Sequence, residues 1–158
     1  MLRLAINGYG RIGRSVLRAL CESPLRAELQ VVAVNELADA RTVLHLTRYD
    51  STHGRFPGKL EGSDDRLIVD GEPIVLLRRP DIDALPWGDL GVDMVLECTG
   101  FFQSHDAAKP HLDAGAKRVL ISAPAKGVSA TVVYGVNHDV LTADDVIVSN
   151  ASCTTNCL

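Results

Sequence analysis

Gly8-Tyr9-Gly10-Arg11-Ile12-Gly13, set between a short apolar run and a segment of helical period, constrains this chain more than any other stretch. A Gly-x-Gly-x-x-Gly occurs by chance in many proteins, so its surroundings carry the argument. Residues 2–6 read as a strand, residues 11–22 as a helix, and residues 29–34 as a second strand that stops at Asn35-Glu36. That is a complete βαβ unit with an acidic residue closing the second strand, roughly 20 residues beyond the glycines, as the dinucleotide-binding fingerprint requires. Gly8 permits the tight turn, Gly10 lets backbone approach a pyrophosphate, and Gly13 allows helix and strand to pack closely. The helix N-terminus then offers free N–H groups and the positive end of its dipole to phosphates. Glu36 would accept hydrogen bonds from the adenosine ribose hydroxyls and repel the extra 2′-phosphate of NADP, which makes NAD the expected cofactor. The competing reading is that the glycines only make a turn and Glu36 is a solvated strand end.

Beyond this unit, Val-, Ile- and Leu-rich runs alternate with helical segments, the pattern of a parallel sheet covered on both faces. The expected fold is therefore α/β, a doubly wound, mostly parallel Rossmann-type sheet. Residues 40–46 read as a short helix, residues 66–77 as a small hairpin insertion around Asp70-Gly71, and residues 104–114 as another helix. Further strands are expected at 94–97, 118–121, 130–134 and 146–149. Residues 1–150 would form the cofactor domain. Residues 151–158 would begin a helix that is barely under way at Leu158, so the chain is expected to be a piece of a longer protein.

The 158 residues, 46% hydrophobic and 23% charged, suit one soluble domain with a core. A net charge of -4 gives no electrostatic reason to bind nucleic acid or an anionic membrane. No stretch reads as a signal peptide or a bilayer span. The four cysteines, Cys21, Cys98, Cys153 and Cys157, form no Cys-x-x-Cys pair and no zinc-type cluster, so the expectation is a reducing, cytoplasmic setting and no metal.

Ser152-Cys153-Thr154-Thr155-Asn156-Cys157 follows a strand and opens a helix. There the helix dipole and free N–H groups favour a thiolate, and small hydroxyl neighbours leave the sulfur accessible, so Cys153 is a candidate nucleophile. A buried, unreactive cysteine fits the local features as well. Cys157, four residues on, shares a helix face with Cys153 and reads as a resolving thiol, a metal partner or a core residue; with only two cysteines, core packing is favoured.

Asn7-Gly-Tyr-Gly-Arg-Ile-Gly-Arg14, Tyr49-Asp-Ser-Thr-His-Gly54, Glu97-Cys-Thr-Gly100, Ser122-Ala-Pro124, Tyr134-Gly-Val-Asn137 and Ser149-Asn-Ala-Ser-Cys-Thr-Thr-Asn-Cys157 follow one another in this order. In this series the chain resembles, over essentially its whole length, the glyceraldehyde-3-phosphate dehydrogenase family. The resemblance implies oxidation of a phosphorylated aldehyde with NAD and inorganic phosphate to an acyl phosphate, through a hemithioacetal and a thioester on Cys153. It implies cofactor contacts at Asn7, Gly8, Gly10, Arg11, Ile12, Gly13, Glu36, Arg79, Thr99, Gly100, Phe102 and Ser122. Ser152 and Thr154 match residues that hold substrate or phosphate beside the cysteine, and the full enzyme is expected to be a homotetramer with a separate catalytic domain.

Three departures accompany the resemblance. Pro80 stands where the family usually has an arginine, with Arg78 and Arg79 just before it. The family's general base is a histidine beyond the nucleophile helix, and none of His45, His53, His105, His111 and His138 matches it, so this chain alone is expected to bind NAD weakly and turn nothing over. Asn35-Glu-Leu-Ala-Asp39 and Ala130-Thr-Val-Val-Tyr134 are similar to the erythrose-4-phosphate dehydrogenase branch, whereas Ser122-Ala-Pro124 and Asn137-His138 resemble the glyceraldehyde branch. A different class of function is a stand-alone NAD-binding module with Cys153 as a redox-responsive thiol.

Overall fold

The computed structural model describes all residues from Met1 to Leu158. The chain runs β1 (Leu2–Asn7), α1 (Arg11–Glu22), β2 (Leu29–Asn35), α2 (Ala40–Arg48), β3 (Tyr49–Asp50), β4 (Gly54–Arg55), β5 (Leu60–Gly62), β6 (Arg66–Val69) and β7 (Glu72–Leu77). It continues through β8 (Met94–Glu97), α3 (His105–Asp113), β9 (Arg118–Ile121), β10 (Ala130–Thr131), β11 (Ile147–Ser149) and α4 (Cys153–Cys157). Nine strands form one sheet in the order β10-β11-β9-β8-β1-β2-β7-β6-β5, while β3 and β4 form a separate two-stranded ribbon.

β1 pairs in parallel with both β2 and β8, so the chain winds outward on one side of β1 and then returns to its other side. This reversal opens a crevice at the C-terminal ends of the strands, where open α/β sheets bind ligands. The expected hairpin is joined to the parallel set: β7 pairs in parallel with β2, and beyond it the β6–β7 and β5–β6 pairings are antiparallel. Its turn has Asp70 at φ 51 and Gly71 at φ 91, the two positive angles such a turn demands. The strand expected over 130–134 is shorter, because beyond Thr131 the backbone turns and the Val133 N–H is taken by the Asn137 side chain at 2.7 Å.

Alternation sorts the apolar residues to the two faces of the sheet. Leu4, Ile6, Val31 and Val34 pack with Leu17 of α1, Val43 of α2 and Tyr9 on one face. Ala5, Val32, Ala33 and Val95 pack with Ile82, Leu85, Trp87 and Val92 on the other. α1 buries Gly13 and Leu17, with Leu20 and Cys21 partly buried behind them, a spacing that lines one helix face. Burying a side chain such as Leu17 is worth about 1.5–3 kcal/mol, and it seats the helix whose first turn borders the crevice.

Candidate functional site

Two clefts lie along the carboxyl ends of the strands. The first, about 480 Å³, is lined by Asn7, Gly8 and Gly10 after β1, Asn35, Glu36 and Leu37 after β2, Arg79, Pro80 and Ile82 after β7, and Cys98, Thr99, Phe101 and Phe102 after β8. The second, about 280 Å³, is lined by Ile12 and Val16 of α1, Leu96, Cys98, Leu120 and Ser122, and Asn150 to Cys153 with Asn156. Cys98 borders both, so the two clefts adjoin there, with Glu36 lining the first and Cys153 the second.

The glycine turn is built to the tolerances its sequence suggests. Gly8 has φ +88, and a Cβ there would stand 2.7 Å from the Thr99 nitrogen. A Cβ on Gly13 would stand 2.4 Å from the Gly8 carbonyl oxygen, whereas one on Gly10 would meet nothing within 4 Å and would project into open space. Gly10 is the N-cap of α1 and offers no side chain to its first turn, so those N–H groups have no side-chain acceptor. An uncapped helix start behind an unobstructed glycine fits a pyrophosphate.

Glu36 sits over this turn, its carboxylate accepting the Tyr9 N–H at 2.9 Å and the Ala38 N–H at 3.2 Å. Beside it, Asn35 accepts the Arg79 N–H at 2.9 Å and donates to the Arg79 carbonyl at 2.9 Å, which fixes that segment as a cleft wall. Of the two neighbouring arginines, Arg79 lines the cleft and Arg78 donates to the Asp64 carbonyl at 2.6 Å. The Arg11 guanidinium is paired with Asp50 of the ribbon. Backbone N–H groups of His53 and Thr52, the His53 ring and Arg11 hold that carboxyl well below the usual carboxylate range. Gly100, at φ +78, makes the turn after β8 and lines neither cleft.

At the far end, Ala151 adopts φ 57, a strained angle for a residue with a Cβ, and this bend carries the chain from β11 into α4. Ser152 caps α4, accepting the Thr155 N–H at 2.9 Å and sharing hydrogen bonds with the Thr154 and Thr155 hydroxyls. Asn156 fastens the turn by donating to the Asn150 and Ser152 carbonyls. Cys153, the first residue of α4, is exposed, as is Cys157, which does not pack into the core. Within these 158 residues α4 buries none of its residues, so the core packing expected for Cys157 is not met inside this chain. Between the clefts, burial pushes the Cys98 thiol up to about 11, while the Ser122 hydroxyl opposes that rise.

Of the residues expected to contact cofactor, Asn7, Gly8, Gly10, Glu36, Arg79, Thr99 and Phe102 line the first cleft, and Ile12 and Ser122 the second. Ser152 and Cys153 share the second cleft; Thr154 is exposed beside them. Sequence reasoning missed Asn35, Leu37, Pro80, Ile82, Phe101 and Cys98 as lining residues. Their common signal is position: each lies at or just past the carboxyl end of a parallel strand. No histidine lines either cleft, and His111, wholly buried, bonds Glu97 and Trp87 instead.

Comparison with known proteins agrees with this geometry. Residues 2–105 match the model of the glyceraldehyde 3-phosphate dehydrogenase NAD binding domain. The chain is 60% identical over 157 residues to a glyceraldehyde-3-phosphate dehydrogenase of Pseudomonas aeruginosa, covering 99% of this chain and 47% of that protein. It is 56% identical over 158 residues to the plasmid-encoded enzyme of that name in Cupriavidus necator, again 99% against 47%. A counterpart in Cereibacter sphaeroides is 55% identical over 157 residues, 99% against 46%. The chain thus spans about half the length of the curated relatives it matches. A family match over most of the sequence, joined to a glycine turn that fits a pyrophosphate, establishes that this chain belongs to the glyceraldehyde 3-phosphate dehydrogenase family and carries its NAD-binding domain.

Proposed function

We propose that the chain is the cofactor-binding portion of a phosphorylating, NAD-dependent glyceraldehyde 3-phosphate dehydrogenase, residues 1–150 forming the cofactor domain and 151–158 opening the nucleophile helix. The observation that carries this reading is the pair of clefts that adjoin at Cys98, the first lined by Glu36 and the second by Cys153. Their chemistry suits a dinucleotide laid from ribose acceptor to thiol.

In this proposal the open face of Gly10 and the N–H groups of Arg11, Ile12 and Gly13 receive the pyrophosphate, and Glu36 accepts from the adenosine ribose. Arg79, Thr99 and Phe102 border the cofactor, with Gly100 making the turn between them, and Ser122 with Ile12 faces its nicotinamide end. NAD, when bound, supplies the hydride acceptor. Cys153 attacks the aldehyde carbon, its S–C bond forming as the carbonyl oxygen takes up a proton, to give a hemithioacetal. Loss of hydride and of the hydroxyl proton leaves a thioester, and inorganic phosphate displaces the sulfur to release an acyl phosphate. Ser152 and Thr154 hold substrate or phosphate by their hydroxyls. The proton acceptor is a group outside this chain, consistent with the absence of any histidine from both clefts.

Glyceraldehyde 3-phosphate is favoured over erythrose 4-phosphate because relatives 55–60% identical bear the former name. A cytoplasmic homotetramer belongs to the same proposal; its support is the family resemblance and four cysteines that remain free thiols. Calorimetric titration of the 158-residue chain tests the cofactor role. Saturable NAD binding that is lost in Gly10→Val is expected, and a chain indifferent to NAD overturns the reading. The substrate claim is tested in the complete enzyme by comparing kcat/KM for the two aldehydes.

A further inference from the structure

The crevice does not account for Glu97, which is 1% exposed at the end of β8 yet bears a carboxylate. Four donors converge on it. One oxygen accepts the Asn7 side-chain amide at 2.7 Å and the His111 Nε2–H at 2.9 Å; the other accepts the Thr99 N–H at 2.8 Å and the Thr99 hydroxyl. The His111 tautomer follows from its other neighbour. Trp87 Nε1 can only donate, and it reaches His111 Nδ1 at 3.0 Å, so the ring proton must lie on Nε2, facing Glu97. Asn7 in turn accepts from Asn35 at 2.8 Å, and Asn35 grips the Arg79 backbone. Both walls of the first cleft, Thr99 on one side and Arg79 on the other, are therefore tied to a single buried carboxylate, which α3 orients through His111.

Resting on the cofactor reading above, we infer that Glu97 is a positioning residue for NAD, acting through Thr99 and Asn7, with His111 and Trp87 fixing its orientation. A carboxylate accepts in every direction, whereas an amide of the same shape must turn a donor toward one pair of N–H or O–H groups. Replacing it leaves Thr99 or Asn7 without an acceptor and lets that wall of the cleft shift.

The test is a double-mutant cycle on the 158-residue chain, reading NAD affinity by calorimetry and melting temperature separately. Glu97→Gln and Thr99→Val are each expected to weaken NAD about tenfold, and the double variant no more than about twofold beyond either, because both break one link. Losses that multiply, or a Glu97→Gln chain with unchanged NAD affinity, overturn the inference. A merely structural carboxylate would lower the melting temperature without that coupling. Should Glu97→Gln not fold, Thr99→Ser, which keeps the hydroxyl toward Glu97, is expected to retain affinity that Thr99→Val loses; equal behaviour of the two sinks the proposal. Trp87, the sole tryptophan, adds an optical readout: its emission should change in Glu97→Gln and stay constant in Gly10→Val. If NAD binds and Gly10→Val abolishes it while Glu97→Gln does nothing, the positioning role alone falls. If the unaltered chain ignores NAD, the cofactor reading falls and takes this one with it.

Discussion

Gly13 rests against the carbonyl of Gly8 so closely that a Cβ on the former would stand 2.4 Å from that oxygen. Helix and turn therefore meet backbone to backbone, and the obstructing atom belongs to no flexible side chain. Gly13→Ala is expected to cost about 1–3 kcal/mol through overpacking. Gly10, with nothing within 4 Å of an added Cβ, should accept valine with little structural penalty beyond helix-start preference, yet lose NAD affinity because the new side chain fills the phosphate approach. Urea unfolding and NAD titration of both variants check this contrast; a destabilised Gly10→Val that still binds NAD normally would contradict it.

Stability should fall at both ends of the pH scale for separate reasons. The Asp50 carboxyl is held low chiefly by the His53 and Thr52 N–H groups, Asp70 by Arg26, Asp93 by Lys117 and Asp39 by Thr42. A folded value below the unfolded one adds stability that is complete above the ordinary 3.8 and is lost as pH drops through the folded value. Burial acts oppositely on Cys98, Cys21 and Tyr9, raising all three. For the two thiols the preference for the neutral form is fully present below the ordinary value of 9.0 and is lost as pH climbs through their folded values, about 11 for Cys98, whereas for Tyr9 it is lost only above the ordinary 10.0. Urea midpoints should accordingly form a plateau near neutrality, and Asp50→Asn should flatten the acid limb; a limb unchanged in that variant would refute the assignment.

The two cysteines of the crevice should react very differently with an alkylating agent. Cys98, its thiol pushed up to about 11 by burial, stays protonated at about pH 8. Cys153 is exposed at the first position of α4. Mass-spectrometric mapping after brief iodoacetamide treatment should find Cys153 and Cys157 modified and Cys98 nearly untouched. Equal labelling of Cys98 and Cys153 would mean that Cys98 is neither as buried nor as protonated as the fold requires.

Local signals made much of this readable from the sequence. The first βαβ unit is encoded by alternation and three glycines, so α1 begins at Arg11 and ends at Glu22 as its periodicity predicts. Position at a strand end made Glu36 legible as a cleft residue, whereas Thr99 came only from the family resemblance. Pairing between distant strands was not: only the fold brings β7 beside β2 and turns the hairpin into part of the parallel sheet. The contact between Glu97 and His111 was illegible for the same reason. Separated in sequence and assigned to a strand end and a helix, they carry no short-range pattern, and their 2.9 Å contact exists only once α3 packs on β9 and β11. Cys157 failed in another way, since helical spacing predicts a face but not whether anything packs on it.

Glu36 serves two ends that one substitution can separate. Its carboxylate lines the first cleft, and the same group accepts the Tyr9 N–H at 2.9 Å, which holds the glycine turn shut against β2. Glu36→Ala removes charge and brace together, so NAD affinity should fall about tenfold while the preference against NADP is relaxed. Glu36→Gln keeps an oxygen for the Tyr9 N–H and removes only the charge. It should retain most of the NAD affinity while gaining relative affinity for NADP, because the repulsion of a 2′-phosphate disappears but the turn stays formed. Parallel titrations with NAD and NADP decide the matter. If the NAD/NADP ratio is the same in both variants as in the unaltered chain, the carboxylate does not read the ribose and its role is confined to bracing the turn.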